Sequence, residues 1–196
     1  DELELLFVGR MDRQKGGRIL AEALPLAAAQ LGRRLHLRAV GDGPDRARFE
    51  ATARAHATEQ ARISFPGWLS PAQVRAQMAS AHLLVVPSIW PEPFGLVGPE
   101  AGSHGVPAAA FAVGGIGEWL ADGVNGHLAP GRRPSPQGLA AAIHACLRSP
   151  EHYRRLSAGA IARARDFTVS RHADALVALL RDVAATPAAI ARATRA

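Results

Sequence analysis

The chain has 196 residues, 48% of them hydrophobic and 20% charged, with a formal net charge of +6; it is long enough to bury a core and far from the polar balance of a disordered chain. No apolar run approaches the roughly 20 residues needed to cross a bilayer, and the acidic Asp1-Glu2 opening is unlike the basic start of a signal peptide, so the expected compartment is cytoplasmic. The single cysteine, Cys146, excludes an internal disulfide, and the excess arginine is scattered as pairs without interleaved aromatics, which favours solvated surface over a nucleic-acid site.

Along the chain, short apolar runs alternate with helical periodicity. Leu3 to Val8 reads as a strand that ends at Gly9, and a helical pattern follows from Arg18 to Leu31. The unit recurs: a strand over Leu35 to Val40, the turn Gly41-Asp42-Gly43-Pro44, and a polar helix over Arg46 to His56. Ile63 to Phe65 leads to a helix from Pro71 to Ser80, and further strands are expected at Leu83 to Val86 and Pro107 to Phe111. Near-continuous apolar runs between helices predict an α/β fold with a doubly wound, Rossmann-like parallel sheet. After Gly126-His127-Leu128, the loop Pro130 to Gly138 leads into three helical stretches with no further strand signal. Cys146 shares the apolar face of the first of these with Leu139, Ile143 and Leu147, a packing role. The domain is expected to span residues 1–183, with residues 184–196 a frayed tail broken by Pro187.

In such a sheet, ligands bind where loops leave the carboxyl ends of strands. The unusual residues fall there: Gly9, Arg10 and Lys15 after the first strand; Gly41 and Gly43 after the second; Pro87 and Ser88 after the fourth; Val113-Gly114-Gly115 after the fifth. Two cations beside glycine-exposed amides suit an anion. In the stretch Trp90 to Glu100, WPEPFGLVGPE, a helix should begin just after Phe94 with Pro99 in its first turn, so the amides of Gly95, Leu96 and Val97 face a negative group such as phosphate. Glu92, between two prolines, and Glu100, on the helix, can each accept hydrogen bonds from vicinal hydroxyls. Taken singly, each acid also fits an ordinary loop or helix-start position.

The segments FVGRMDRQKGG (Phe7 to Gly17), AVGDGP (Ala39 to Pro44), ISFPGWL (Ile63 to Leu69), LVVPSIWPEPFGLVGPEAGSHGVPAAA (Leu84 to Ala110) and VGGIGEWLADGVNGHL (Val113 to Leu128) occur in an order that resembles the C-terminal, nucleotide-sugar-binding half of a GT-B glycosyltransferase, closest to the retaining family 4, or group 1. The spacing of Glu92 and Glu100, E-x7-E, is the most specific of these matches.

The resemblance implies catalytic roles for Arg10, Lys15 and Glu92. Arg10 and Lys15 would bind the donor diphosphate, Glu100 the ribose, and Glu92 the transferred sugar. The backbone of Phe94, Gly95, Leu96 and Val97 would line sugar and phosphates, with Gly9, Gly41, Gly43, Pro87 and Ser88 completing the donor site. It implies a UDP-, GDP- or ADP-sugar donor, no obligatory metal or other cofactor, and an acceptor that is a sugar, lipid or small molecule. It also implies a partner N-terminal GT-B domain that this chain lacks, and leaves peripheral membrane association of the parent enzyme open. Gly98-Pro99, Gly102-Ser103-His104 and Gly117 depart from the family's usual aliphatic, Ala-Met-Ala and proline residues. Two other classes remain: a non-transferase GT-B relative such as a nucleotide-sugar epimerase, and a basic polyanion-binding module.

Overall fold

The structure, a computed structural model, describes residues 2–185. Through Ala164 the chain forms one compact unit, and a second begins at Arg165. The first contains β1 (Glu2–Val8), α1 (Gly17–Leu31), β2 (Arg34–Val40), α2 (Arg46–Ala55), β3 (Ala61–Gly67), α3 (Pro71–Ala79) and β4 (Leu83–Val86). It continues with α4 (Val97–Ser103), β5 (Ala108–Phe111), α5 (Ile116–Trp119), β6 (Gly126–Ala129), α6 (Pro136–Leu147) and α7 (Pro150–Ala164). The second contains α8 (Val169–Ala185). Of the tail expected over 184–196, residues 186–196 lie outside the described residues. No described helix is long and apolar enough to cross a membrane.

The six strands form one sheet in the order β3-β2-β1-β4-β5-β6, and every pairing is parallel. The fold is therefore the expected Rossmann-like doubly wound α/β sheet, whose order reverses between β1 and β4. Leu6 pairs with Leu84, so the two strands run out at nearly the same level and their exit loops share one crevice. The main core lies on one face, where Leu5 and Phe7 of β1, Leu35 and Leu37 of β2 and Phe111 of β5 meet Leu20 and Leu24 of α1, Phe49 of α2 and Leu139 and Ile143 of α6. Cys146 is buried in that core, and burial pushes its thiol up to about 12, so it packs as an apolar residue.

Two findings differ from the sequence expectation. A sixth strand, β6, is present where only Gly126-His127-Leu128 had stood out, and it pairs with β5 from Ala108↔Gly126 to Phe111↔Ala129. The second face of the sheet is also less apolar than the strand runs suggested. There Glu4 pairs with His36 and Arg38, His36 Nε2 meets Ser64 Oγ at 2.8 Å, and Arg38 donates to Gln77 Oε1 of α3 at 2.6 Å. Alternation along β1 and β2 turns these polar side chains away from the main core.

Candidate active site

Beyond β1 the chain runs through Gly9 and Arg10 to a single 3-10 turn, Arg13–Lys15, capped by Asp12, whose side chain accepts from the Lys15 amide at 3.1 Å. Gly16 follows with φ 69°, and a Cβ there would fall 1.9 Å from the Pro87 carbonyl oxygen. Only glycine permits both the left-handed turn and that approach. The Ile89 amide donates to the Gln14 carbonyl at 2.8 Å, so the loops after β1 and β4 are joined across the crevice. The consequence is the central contact of the site. Lys15 Nζ lies 2.5 Å from Glu92 Oε1, and Ser88 Oγ donates to the same oxygen at 2.5 Å.

Glu92 is held as firmly by its backbone. Its carbonyl accepts from the Gly115 amide at 2.7 Å, and the backbone of Gly114 and Gly115 packs so closely on residues 91–94 that a Cβ at either glycine would collide. Trp119 Nε1 donates to the Phe94 carbonyl at 2.7 Å. Gly98 rests on the indole of Trp119, where a Cβ would fall 2.5 Å from three ring atoms. That contact explains the unusual glycine: buried Trp119 fills the volume that an aliphatic side chain would occupy. At Gly102 a Cβ would fall 3.0 Å from the Ala160 carbonyl oxygen, and its absence likewise lets α4 approach α7.

Beside this clamp lies a cavity of about 930 Å³, walled by Gly9, Arg10, Gly41, Gly43, Trp68 and Glu100, among others. Arg10, whose side chain is 71% exposed, stands 3.6 Å from Asp12. Gly41 and Gly43 abut Gly9 and Met11, which draws the loops after β1 and β2 together. The structure thus distributes the expected residues over two adjoining places. Lys15, Ser88 and Glu92 meet directly, braced by buried Pro87, whereas Gly9, Arg10, Gly41, Gly43 and Glu100 line the cavity. Phe94, Gly95, Leu96 and Val97 connect them, with α4 beginning at Val97 and Leu96 as its cap. Arg10 and Lys15 do not share one partner, since Lys15 is paired with Glu92 and Arg10 leans on Asp12.

Sequence reading missed part of the cavity wall. Trp68, 81% exposed, lines the cavity with Leu69, Val74, Arg75 and Met78 of the segment after β3. An aromatic directly after a strand's carboxyl end was the available signal. Among the described residues, the one His/carboxylate cluster compact enough for a metal ion is Glu2, Glu4 and His36, near the amino ends of β1 and β2, away from this crevice. Arg62 engages Glu2 at 2.7 and 2.9 Å, and its hydrogen bond holds that carboxyl below the usual carboxylate range.

In comparison with known families, the model described as "Glycosyl transferases group 1" matches residues 1–163. The chain belongs to that family. It is 37% identical over 198 aligned positions to a D-inositol 3-phosphate glycosyltransferase of Frankia alni, covering 95% of this chain and 47% of that protein. A glycogen synthase of Thermus thermophilus is 38% identical over 124 residues, 63% of this chain and 27% of that protein. Among solved structures, Anabaena HepE in complex with UDP-glucose superposes with a TM-score of 0.79 at 27% identity, covering 93% of this chain and 49% of that one. Sucrose-phosphate synthase from Thermosynechococcus elongatus gives 0.77 at 32% identity, with 94% and 46% covered. This group 1 chain therefore spans about half the length, or less, of these relatives, and its sheet is that of GT-B glycosyltransferases.

Proposed function

We propose that this chain is the donor-binding half of a retaining glycosyltransferase that moves a sugar from a nucleoside-diphosphate sugar to an acceptor hydroxyl. The observation that carries the reading is the meeting of Lys15, Ser88 and Glu92 at the point where strand order reverses, next to a cavity lined by Arg10 and Glu100. The cavity is large enough for a nucleoside. In it, Glu100 accepts from the ribose hydroxyls, and the diphosphate lies toward Arg10 and Lys15, with the amides of Gly95, Leu96 and Val97 alongside. The sugar then lies against Glu92.

Cleavage of the glycosidic bond leaves negative charge on the departing diphosphate, and fixed cations aimed at that charge lower the barrier. Lys15 and Arg10 serve this purpose. Their approach from separate loops allows them to meet different phosphate oxygens. Glu92 orients the sugar and provides negative charge near the cationic character that develops on its ring. The acceptor, a sugar, lipid or small molecule, is held by a second GT-B domain, and the reaction runs in the cytoplasm.

The HepE complex makes UDP-glucose the first probe. Thermal-shift measurements with UDP-, GDP- and ADP-glucose test the proposal, because a ligand at 100 times its Kd stabilises a fold by about 2.7 kcal/mol. Stabilisation by one nucleotide series is expected. No shift with any of the three would remove the donor-site reading, and equal salt-sensitive shifts with unrelated polyanions would favour the polyanion-binding module.

A further inference from the structure

We propose that Ser88 is a positioning residue that fixes the carboxylate of Glu92, an inference that rests on the sugar-side role given to Glu92 above. Ser88 is only 1% exposed and follows β4 by two residues. Its hydroxyl donates to Glu92 Oε1 at 2.5 Å, closing the short loop that carries Pro91. Lys15 Nζ reaches the same Oε1 at 2.5 Å, and neither bond uses Oε2. Both anchors therefore hold one oxygen and leave the other to meet hydroxyls.

The two anchors differ in how they respond to a diphosphate. Lys15 is a flexible cation whose side chain is 32% exposed, and an arriving diphosphate draws it by charge. Ser88 is neutral and buried, on backbone that Gly16 and Pro87 lock together. It has no comparable attraction to phosphate, and losing its acceptor would leave a hydroxyl buried and unpaired, which is costly. Ser88 thus keeps Glu92 aimed after Lys15 has turned toward the leaving group. The sequence marks this residue only as part of the donor loop; the structure gives it a carboxylate, not the ligand, as its partner.

The test combines binding with a ligand-free measurement. Titration calorimetry compares Ser88→Ala and Ser88→Thr with the unaltered chain, using UDP, GDP and ADP and their glucose conjugates. Ser88→Ala is expected to weaken the sugar-bearing ligand roughly ten- to a hundredfold, the typical worth of a hydrogen bond to a charged group, and to leave the free nucleotide unchanged. Ser88→Thr, which keeps the hydroxyl, restores binding. Equal losses for nucleotide and nucleotide sugar would mean a merely structural role and overturn the proposal, as would no loss for either. Crystal structures of ligand-free Lys15→Ala and of Lys15→Ala/Ser88→Ala, in which the lysine no longer holds Glu92, form the second arm. Glu92 is expected in one conformer in the first and displaced or split in the second. An unmoved Glu92 in Lys15→Ala/Ser88→Ala overturns the proposal even if no nucleotide sugar binds, an outcome that would separately end the donor-site reading.

Discussion

Lys15 and Glu92 form a nearly neutral unit in the ligand-free protein, and that changes what each substitution should do. Glu92 is the partner that compensates Lys15. Glu92→Gln removes that partner's charge and frees the lysine for phosphate, so affinity for the free nucleoside diphosphate should hold or rise while affinity for the sugar-bearing donor falls. Glu100→Gln, on the exposed cavity wall, should weaken both ligands alike. Calorimetry on the two variants with UDP and UDP-glucose separates the roles, and parallel losses in both would contradict them. Arg10 is largely exposed and 3.6 Å from Asp12, and Arg10→Ala should cost about 1.5 to 3 kcal/mol of nucleoside-diphosphate affinity. The two glutamates were legible in the sequence because their spacing is local. Ser88 and Lys15 could be named as site residues, but not their common partner, because Lys15 and Glu92 are 77 positions apart and meet only through the topology of the sheet.

The elements behind the site are matched pairs, and α4 shows this most directly. Its glycines face the Trp119 ring on one side and the α7 backbone on the other. Gly98→Ala drives a methyl into the indole, and overpacking of this kind costs about 1 to 3 kcal/mol. Urea denaturation should show that loss, and a Trp119→Leu background should reduce it. No single-segment pattern announces such a pair. The same reason hid β6: four residues, Gly126-His127-Leu128-Ala129, carry little strand propensity, and their pairing with β5 places them.

At the start of α7, Arg155 donates to His152 Nδ1 at 3.1 Å, the two imidazole Nε2 atoms of His152 and His127 face each other at 2.9 Å, and His127 Nδ1 meets Asp122 at 3.0 Å. A guanidinium only donates, which fixes the order of protons. His152 must carry its proton on Nε2 and donate to His127, and His127 donates to Asp122. The His152 ring is then neutral, and a further proton on it breaks the bond from Arg155. Burial, then the charges of Arg148 and Arg155, hold His152 below its usual value of 6.5. The unfolded chain therefore takes up a proton that the folded chain refuses. This contribution to stability is complete above about pH 6.5 and is lost as the pH falls from there toward the lower folded value. Chemical denaturation at pH 7.5 and 5.5 should show the decline, and His152→Gln should make it smaller; an identical decline in that variant would remove the assignment.

For the molecule as a whole, the α/β class was readable because alternating apolar runs and helical periods recur along the chain, and the carboxyl-end rule then indicated where to look for a site. The strand order came only with the structure, and with it the reason that the loops after β1 and β4 share a crevice. The chain covers 47% of the Frankia relative and 49% of HepE, which sets the last expectation. Transfer needs an acceptor hydroxyl held at about 3 to 3.5 Å from the anomeric carbon, and such positioning can supply roughly 7 to 11 kcal/mol of the barrier reduction. On the proposed reading, Arg10, Lys15, Glu92 and Glu100 would supply charge and orientation to a nucleotide sugar but nothing to position an acceptor. These 196 residues alone should therefore bind the donor and release nucleoside diphosphate only by slow hydrolysis, without response to added sugars or lipids. Joined to an acceptor-binding GT-B domain of the same parent polypeptide, they should turn over. Nucleoside-diphosphate release, measured with and without acceptors for both proteins, decides the matter. Strong acceptor-stimulated release by the chain alone would mean that the acceptor site lies within it, with the open cavity beneath Trp68 and Arg75 the first place to seek it.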